Sequence, residues 1–198
     1  MNKWIPLGVI VALFLIIIFW ITGFNNSAVV LQEGAKTSWS NVESSYQRRN
    51  DLIGSLVKTV QGAADFEKST LTAVIEARAK ATSVTVDPAN ITPEQMAQFQ
   101  QAQSGVSSTL SRLLVTVEQY PALKANQNFL ELQSQLEGTE NRINVARDRY
   151  NEAVNAFNVK IKTFPNTIFA SWFGFSEMTR FKADAGAEKA PEVNFDFK

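Results

Sequence analysis

Neither cysteine nor histidine occurs anywhere in the 198 residues. Without cysteine there is no disulfide, no thiolate metal site and no thiol nucleophile, and redox chemistry gives no reading of the compartment. Without histidine the chain lacks the commonest general base, the commonest zinc ligand and the usual partner of a nucleophilic serine. An excess of one charge is missing too: 19 Lys and Arg balance 19 Asp and Glu. The basic residues never form the kind of block that neutralises phosphates, so nucleic acid is not an expected partner. No Gly-rich phosphate loop, serine elbow or paired-acid motif appears. Together these absences predict a non-enzymatic protein with no cofactor and no metal.

What is present starts with a membrane signal. From Ile5 to Phe24 no residue is charged, and at ~1.5 Å per residue such a run matches the ~30 Å hydrocarbon core of a bilayer. Trp4 and Trp20 stand near its ends, where indoles favour the headgroup layer, Phe14 lies within it, and Lys3 adds a charged anchor. Lys3, Trp4, Phe14 and Trp20 are therefore the expected membrane-anchoring residues. A cleaved signal peptide is the alternative, but the run is too long and Gly23-Phe24-Asn25-Asn26-Ser27 does not resemble a small-x-small cleavage site. Lys3 and the α-amino group, set against Glu33 and Lys36 beyond the run, predict an outside or periplasmic C-terminal domain.

Beyond the span, apolar residues recur by threes and fours in three segments. Trp39, Val42, Tyr46, Arg49, Ile53, Leu56, Val60 and Ala63 make the first seam, with Arg49 its one polar member. The second runs through Met96, Phe99, Gln103, Val106, Leu110, Leu113, Val117 and Tyr120, and the third from Phe129 through Leu136, Thr139, Ile143, Ala146 and Tyr150 to Phe157. Stripes of this kind are stable only when they bury one another, which predicts an all-α protein: one N-terminal transmembrane helix, then an antiparallel bundle of three to four helices.

Helix-stopping chemistry marks the boundaries. Residues 84–91 combine β-branched residues with Pro88, and Thr92-Pro93-Glu94-Gln95 then offers an N-cap, a proline at the first helical position and a capping-box Gln. Pro121 ends the second segment and Pro165 the third. Gly62 either closes a helix, with the chain reversing after it, or sits inside a continuous one; reversal is favoured because the first seam would otherwise outrun its cover. After Pro165 come Ile168, Phe169, Trp172, Phe173, Phe175, Met178 and Phe181. They suit a short helix that caps the bundle, a membrane-interface segment or a surface for another subunit. The last residues are a small-residue linker and a tail in which Val193, Phe195 and Phe197 alternate with polar neighbours, as a frayed end or an added strand would. The expected division is thus an anchor over 1–24, a bundle over 25–165, an aromatic segment over 166–182 and a tail over 183–198.

Several blocks carry a resemblance. Trp39-x-x-Val42 leads into Tyr46-Gln47-Arg48-Arg49-Asn50-Asp51-Leu52-Ile53-Gly54-Ser55-Leu56-Val57, followed by Val60-Gln61-Gly62, Phe66-Glu67-Lys68 and Ala77-Arg78-Ala79. Glu118-Gln119-Tyr120-Pro121, Leu136-Glu137-Gly138-Thr139-Glu140-Asn141-Arg142-Ile143 and Ala146-Arg147-Asp148-Arg149-Tyr150-Asn151 continue in order to Phe164-Pro165 and the Ala170–Phe175 aromatics. In this the chain resembles the LemA family of bacterial membrane proteins over nearly everything beyond the membrane run. One position departs: members often carry a histidine before the residue that is Glu67 here, and this chain has Phe66. The resemblance implies an inner-membrane-anchored helical bundle and supplies no catalytic residues.

Arg48, Arg49, Asp51, Glu118, Glu140 and Arg147 are expected to meet as a structural ionic network, because a buried arginine must be paired. Ligand or ion binding and partner recognition are the alternatives. Phe169, Trp172, Phe173, Phe175, Phe195 and Phe197 are the expected partner or oligomer interface. The functional expectation is an assembly protein that self-associates at the membrane, tethering having raised its local concentration. The alternative is an adaptor that recruits or regulates a membrane protease or signalling protein.

Overall fold

The structure, a computed structural model, describes residues 4–62 and 66–183. Lys3, Ala63, Phe195 and Phe197 lie outside the described residues. Among those described there are six helices and no strand.

Helix α1, Trp4–Gln61, is unbroken over 58 residues, about 85 Å at ~1.5 Å per residue. It has two regimes. From Leu7 to Trp20 apolar side chains face outward on every side, and this part is long and apolar enough to cross a membrane. From Phe24 onward a single stripe is buried: Phe24, Ala28, Ala35, Trp39, Val42, Tyr46, Arg49, Ile53, Leu56 and Val60. That stripe begins fifteen residues before Trp39, where the periodic seam opens, so the same helix that leaves the apolar run enters the bundle. Asn25, Asn26 and Ser27 do not interrupt it; Asn25 and Ser27 are half-buried and Asn26 exposed.

The chain reverses after Gly62. Helix α2, Lys68–Ser83, packs back along α1, and the Arg78 guanidinium crosses Gly54 so closely that an added Cβ would stand 3.6 Å from Cζ. The reason is cover: Ile53, Leu56, Val57 and Val60 on α1 are buried with Leu71, Val74 and Ala81 of α2. After the loop, Thr92 and Gln95 form the predicted capping box, with Gln95 N donating to Thr92 Oγ1 at 3.2 Å and Thr92 N to Gln95 Oε1 at 2.9 Å. Helix α3, Pro93–Val117, runs parallel to α1, since Phe99 touches Trp39 and Tyr46 while Gln103 and Ser107 reach Arg49 further along. A single turn, α4 (Pro121–Lys124), leads to Asn126, whose side-chain Oδ1 caps α5 by accepting from Asn128 N and Phe129 N. Helix α5, Gln127–Lys162, returns antiparallel against α1. Short α6, Asn166–Trp172, and an extended stretch over 175–183 follow.

The core falls into two clusters. The one nearer the apolar run gathers Phe24, Trp39, Tyr46, Phe99, Tyr150, Phe157, Met178 and Phe181. The far one gathers Ile53, Leu56, Val60, Val74, Val106, Leu113, Phe129 and Leu136. Each fully buried side chain of this size contributes about 1.5–3 kcal/mol relative to exposure.

Candidate functional site

Between the two clusters lies a polar layer centred on Arg49. The side chain is 2% exposed because its position continues the apolar seam and points inward. Its Nη2 donates to Gln103 Oε1 at 2.6 Å and to the Gln103 carbonyl at 3.3 Å. Its Nη1 donates to Ser107 Oγ at 3.1 Å and Glu140 Oε2 at 3.2 Å, while the guanidinium stands 4.9 Å over the Tyr46 ring. Three helices, α1, α3 and α5, are thereby locked at one register. Glu140 is 45% exposed, so water shares in satisfying it and the pair is not a dry one.

The six charged residues do not form one network. Arg49 and Glu140 are brought together. Arg48 and Asp51 lie on the exposed side of α1, and Glu118 pairs with Lys124 at the surface, 3.0 Å away. Arg147 stands 4.8 Å over the Phe181 ring and donates to the Lys182 carbonyl at 3.4 Å. Gln103 and Ser107 are the partners that reasoning from charge misses; Gln103 was legible as a polar member of an apolar seam.

The second feature is the extended stretch beyond α6, held by amide side chains. Asn158 accepts from Met178 N at 2.9 Å and donates to Met178 O at 2.8 Å. Asn151 treats Phe181 the same way, at 2.8 and 3.2 Å, and Gln100 does so with Lys182, at 3.4 and 2.8 Å. Each amide offers one acceptor and one donor to one residue's backbone, as a neighbouring strand would. Tyr150 Oη donates to Thr179 O at 2.9 Å, and Thr179 Oγ1 donates to Ile91 O at 2.7 Å. Phe181 stacks on Trp39, centroids 5.6 Å apart.

Burial pushes the Tyr150 phenol up to about 12 from its ordinary 10. The neutral phenol is thus favoured in the folded state, so this contribution to stability is complete below pH 10 and is lost as pH rises from 10 through about 12. Alkaline titration followed by circular dichroism should show a loss of stability in that window which Tyr150→Phe largely removes; an unchanged alkaline limb would contradict the assignment to this phenol.

Of the aromatic residues, Phe169 meets Trp20 edge-on at 5.5 Å, and Phe173 and Phe175 meet Phe24 at 6.4 and 6.2 Å. Trp172 is 72% exposed. Trp4, Phe14 and Trp20 line the outward-facing apolar part of α1. A groove of about 600 Å³ between α1 and α5 is lined by Arg48, Arg142 and Arg149 with Asn41, Ser44 and Thr139. Among the described residues no three acidic side chains gather as a metal site would require.

A membrane-length helix that continues unbroken into an antiparallel bundle, stapled by one buried arginine and closed by an amide-zipped aromatic segment, defines the class. The chain belongs to the LemA family, whose model matches residues 38–195. It is 26% identical over 174 residues to magnetosome protein MamQ 2 of Paramagnetospirillum magneticum and 27% identical over 173 to magnetosome protein MamQ of Magnetospirillum gryphiswaldense, each match covering 79% of this chain and 64% of the relative. The chain therefore spans less than two thirds of the length of these relatives. Protein LemA of Metamycoplasma hominis is 26% identical over 191 residues, covering 92% of this chain and 83% of that one.

Proposed function

We propose that this protein is a non-enzymatic scaffold, anchored in a bacterial inner membrane by the start of α1 with its bundle on the periplasmic side, whose copies associate laterally in the membrane plane. The continuity of α1 carries this reading: the apolar stretch and the bundle seam are one helix, so the bundle stands rigidly on its anchor. Tethered bundles of fixed orientation meet at high effective concentration, and modest contacts then suffice. Val29 and Val30 of α1 and Phe173 leave exposed apolar surface just beyond the apolar run, where neighbouring copies would touch. The MamQ relatives are named for a cellular body and not for a reaction, which supports a structural role.

The test is the mass of full-length particles extracted from native membrane in polymer-bounded nanodiscs. Several copies per particle are expected; uniform single copies would reject the scaffold. A second reading, an adaptor for another membrane protein such as a protease or signalling protein, is favoured by the α1–α5 groove, where Arg48, Arg142 and Arg149 make no ion pair among the described residues and suit an acidic partner surface. A foreign protein present in one-to-one amount in those particles would favour it.

A further inference from the structure

We infer that α6 is an interfacial helix: its outer face lies in the headgroup layer of the same bilayer that α1 crosses. The inference rests on the reading of α1 as a membrane anchor and deepens it.

The segment has two faces. Inward, Ala170 is buried and Phe169 packs edge-on against Trp20, with Phe173 and Phe175 against Phe24. Outward, Ile168 and Trp172, four residues apart and so on one side of the helix, are 45% and 72% exposed, and Phe164 just ahead of them is 77% exposed. A soluble surface rarely gathers three such side chains without a partner.

Location decides what that partner is. Trp20 closes the apolar run of α1, whose side chains from Leu7 to Phe19 are exposed; if this run occupies the hydrocarbon core, Trp20 stands in the headgroup layer. Its contact with Phe169 brings α6 to the same depth. Between Lys162 and Glu177 no residue is charged, so nothing resists entry into that layer. In the last turn of α5, Lys162 is held by Glu177, while Lys160 has no ion pair among the described residues and is the cation left for lipid phosphates. Seven residues are far too few to span a bilayer. The segment must therefore lie along the surface, with the Phe164, Ile168 and Trp172 side chains dipping toward the acyl boundary.

The absence of cysteine permits a direct test. Phe164→Cys, Ile168→Cys and Trp172→Cys, each carrying a nitroxide on the full-length chain, are placed in phosphatidylcholine–phosphatidylglycerol vesicles, and collisions with oxygen and with a water-soluble nickel chelate are compared. Leu13→Cys reports the anchor and Asn155→Cys the aqueous bundle surface. The expected result is a several-fold preference for oxygen over chelate at the three α6 positions relative to Asn155→Cys, approaching Leu13→Cys. If Leu13→Cys reads lipid while the α6 labels match Asn155→Cys, α6 is in water and the inference fails alone. Labels shielded from both reagents would mean a protein neighbour covers the face, which also overturns it. Should Leu13→Cys itself read water, the anchor reading falls and this inference with it.

Discussion

Trp39→Ala is expected to lower the unfolding free energy by about 3–5 kcal/mol, the cost of emptying a well-packed aromatic site. Trp39 is 1% exposed and touches three rings from three parts of the chain: Phe99 of α3 at 5.4 Å, Tyr150 of α5 at 5.1 Å and Phe181 at 5.6 Å. Its removal therefore leaves a cavity and loosens the amide-zipped stretch at once. The indole Nε1 has no hydrogen-bond acceptor among the described residues, so the site is apolar in character. Trp39→Phe, which deletes that unpaired N–H while keeping a ring, should cost only about 1 kcal/mol. Urea denaturation of the detergent-held protein, followed by circular dichroism, measures both. Equal losses for the two variants would mean the indole acts through a polar contact and not through volume.

Arg49→Ala should also be severe, at about 2–4 kcal/mol, from lost side-chain volume and a buried amide left unsatisfied. The substitution removes the donors that Gln103, Ser107 and Glu140 face, and Gln103 is itself buried. It also strips a long aliphatic stem from beside Tyr46. Arg49→Lys keeps the charge but not the fork that reaches three partners together, so an intermediate loss is expected. Glu140→Ala should be milder than either, because Glu140 is half in water and Arg49 retains Gln103 and Ser107. The order Arg49→Ala, Arg49→Lys, Glu140→Ala in urea midpoint is the check; Glu140→Ala as damaging as Arg49→Ala would show that the ion pair, and not the wider layer, holds the helices.

The fold was legible where side chains are large and regularly spaced. Trp39 to Val60, Met96 to Val117 and Phe129 to Phe157 announce their helices, and Thr92 with Gln95 announces a start. The extension of the first seam back to Phe24 was harder to see because two of its steps are Ala28 and Ala35, residues that mark a buried face only once a neighbour is known to approach closely. The burial of Arg49 could be read from its place in the seam. Its partners could not be found by charge: Arg48, Asp51 and Glu118 carry the right signs but sit on outward faces, while neutral Gln103 and Ser107 face inward. Asn158 and Gln100 were invisible for a related reason, since an amide on a helix is ordinary until another segment is laid beside it.

The unbroken α1 also makes the molecule a lever. Helices in bilayers tilt as local thickness varies, and from Phe24 to Gln61 the arm is roughly 55 Å at ~1.5 Å per residue. With no hinge to absorb it, a tilt of about 10° at the lipid level would swing the far tip sideways by about 10 Å. In the proposed assembly, neighbouring copies would feel a change of membrane thickness as a change in how widely their tips are spread.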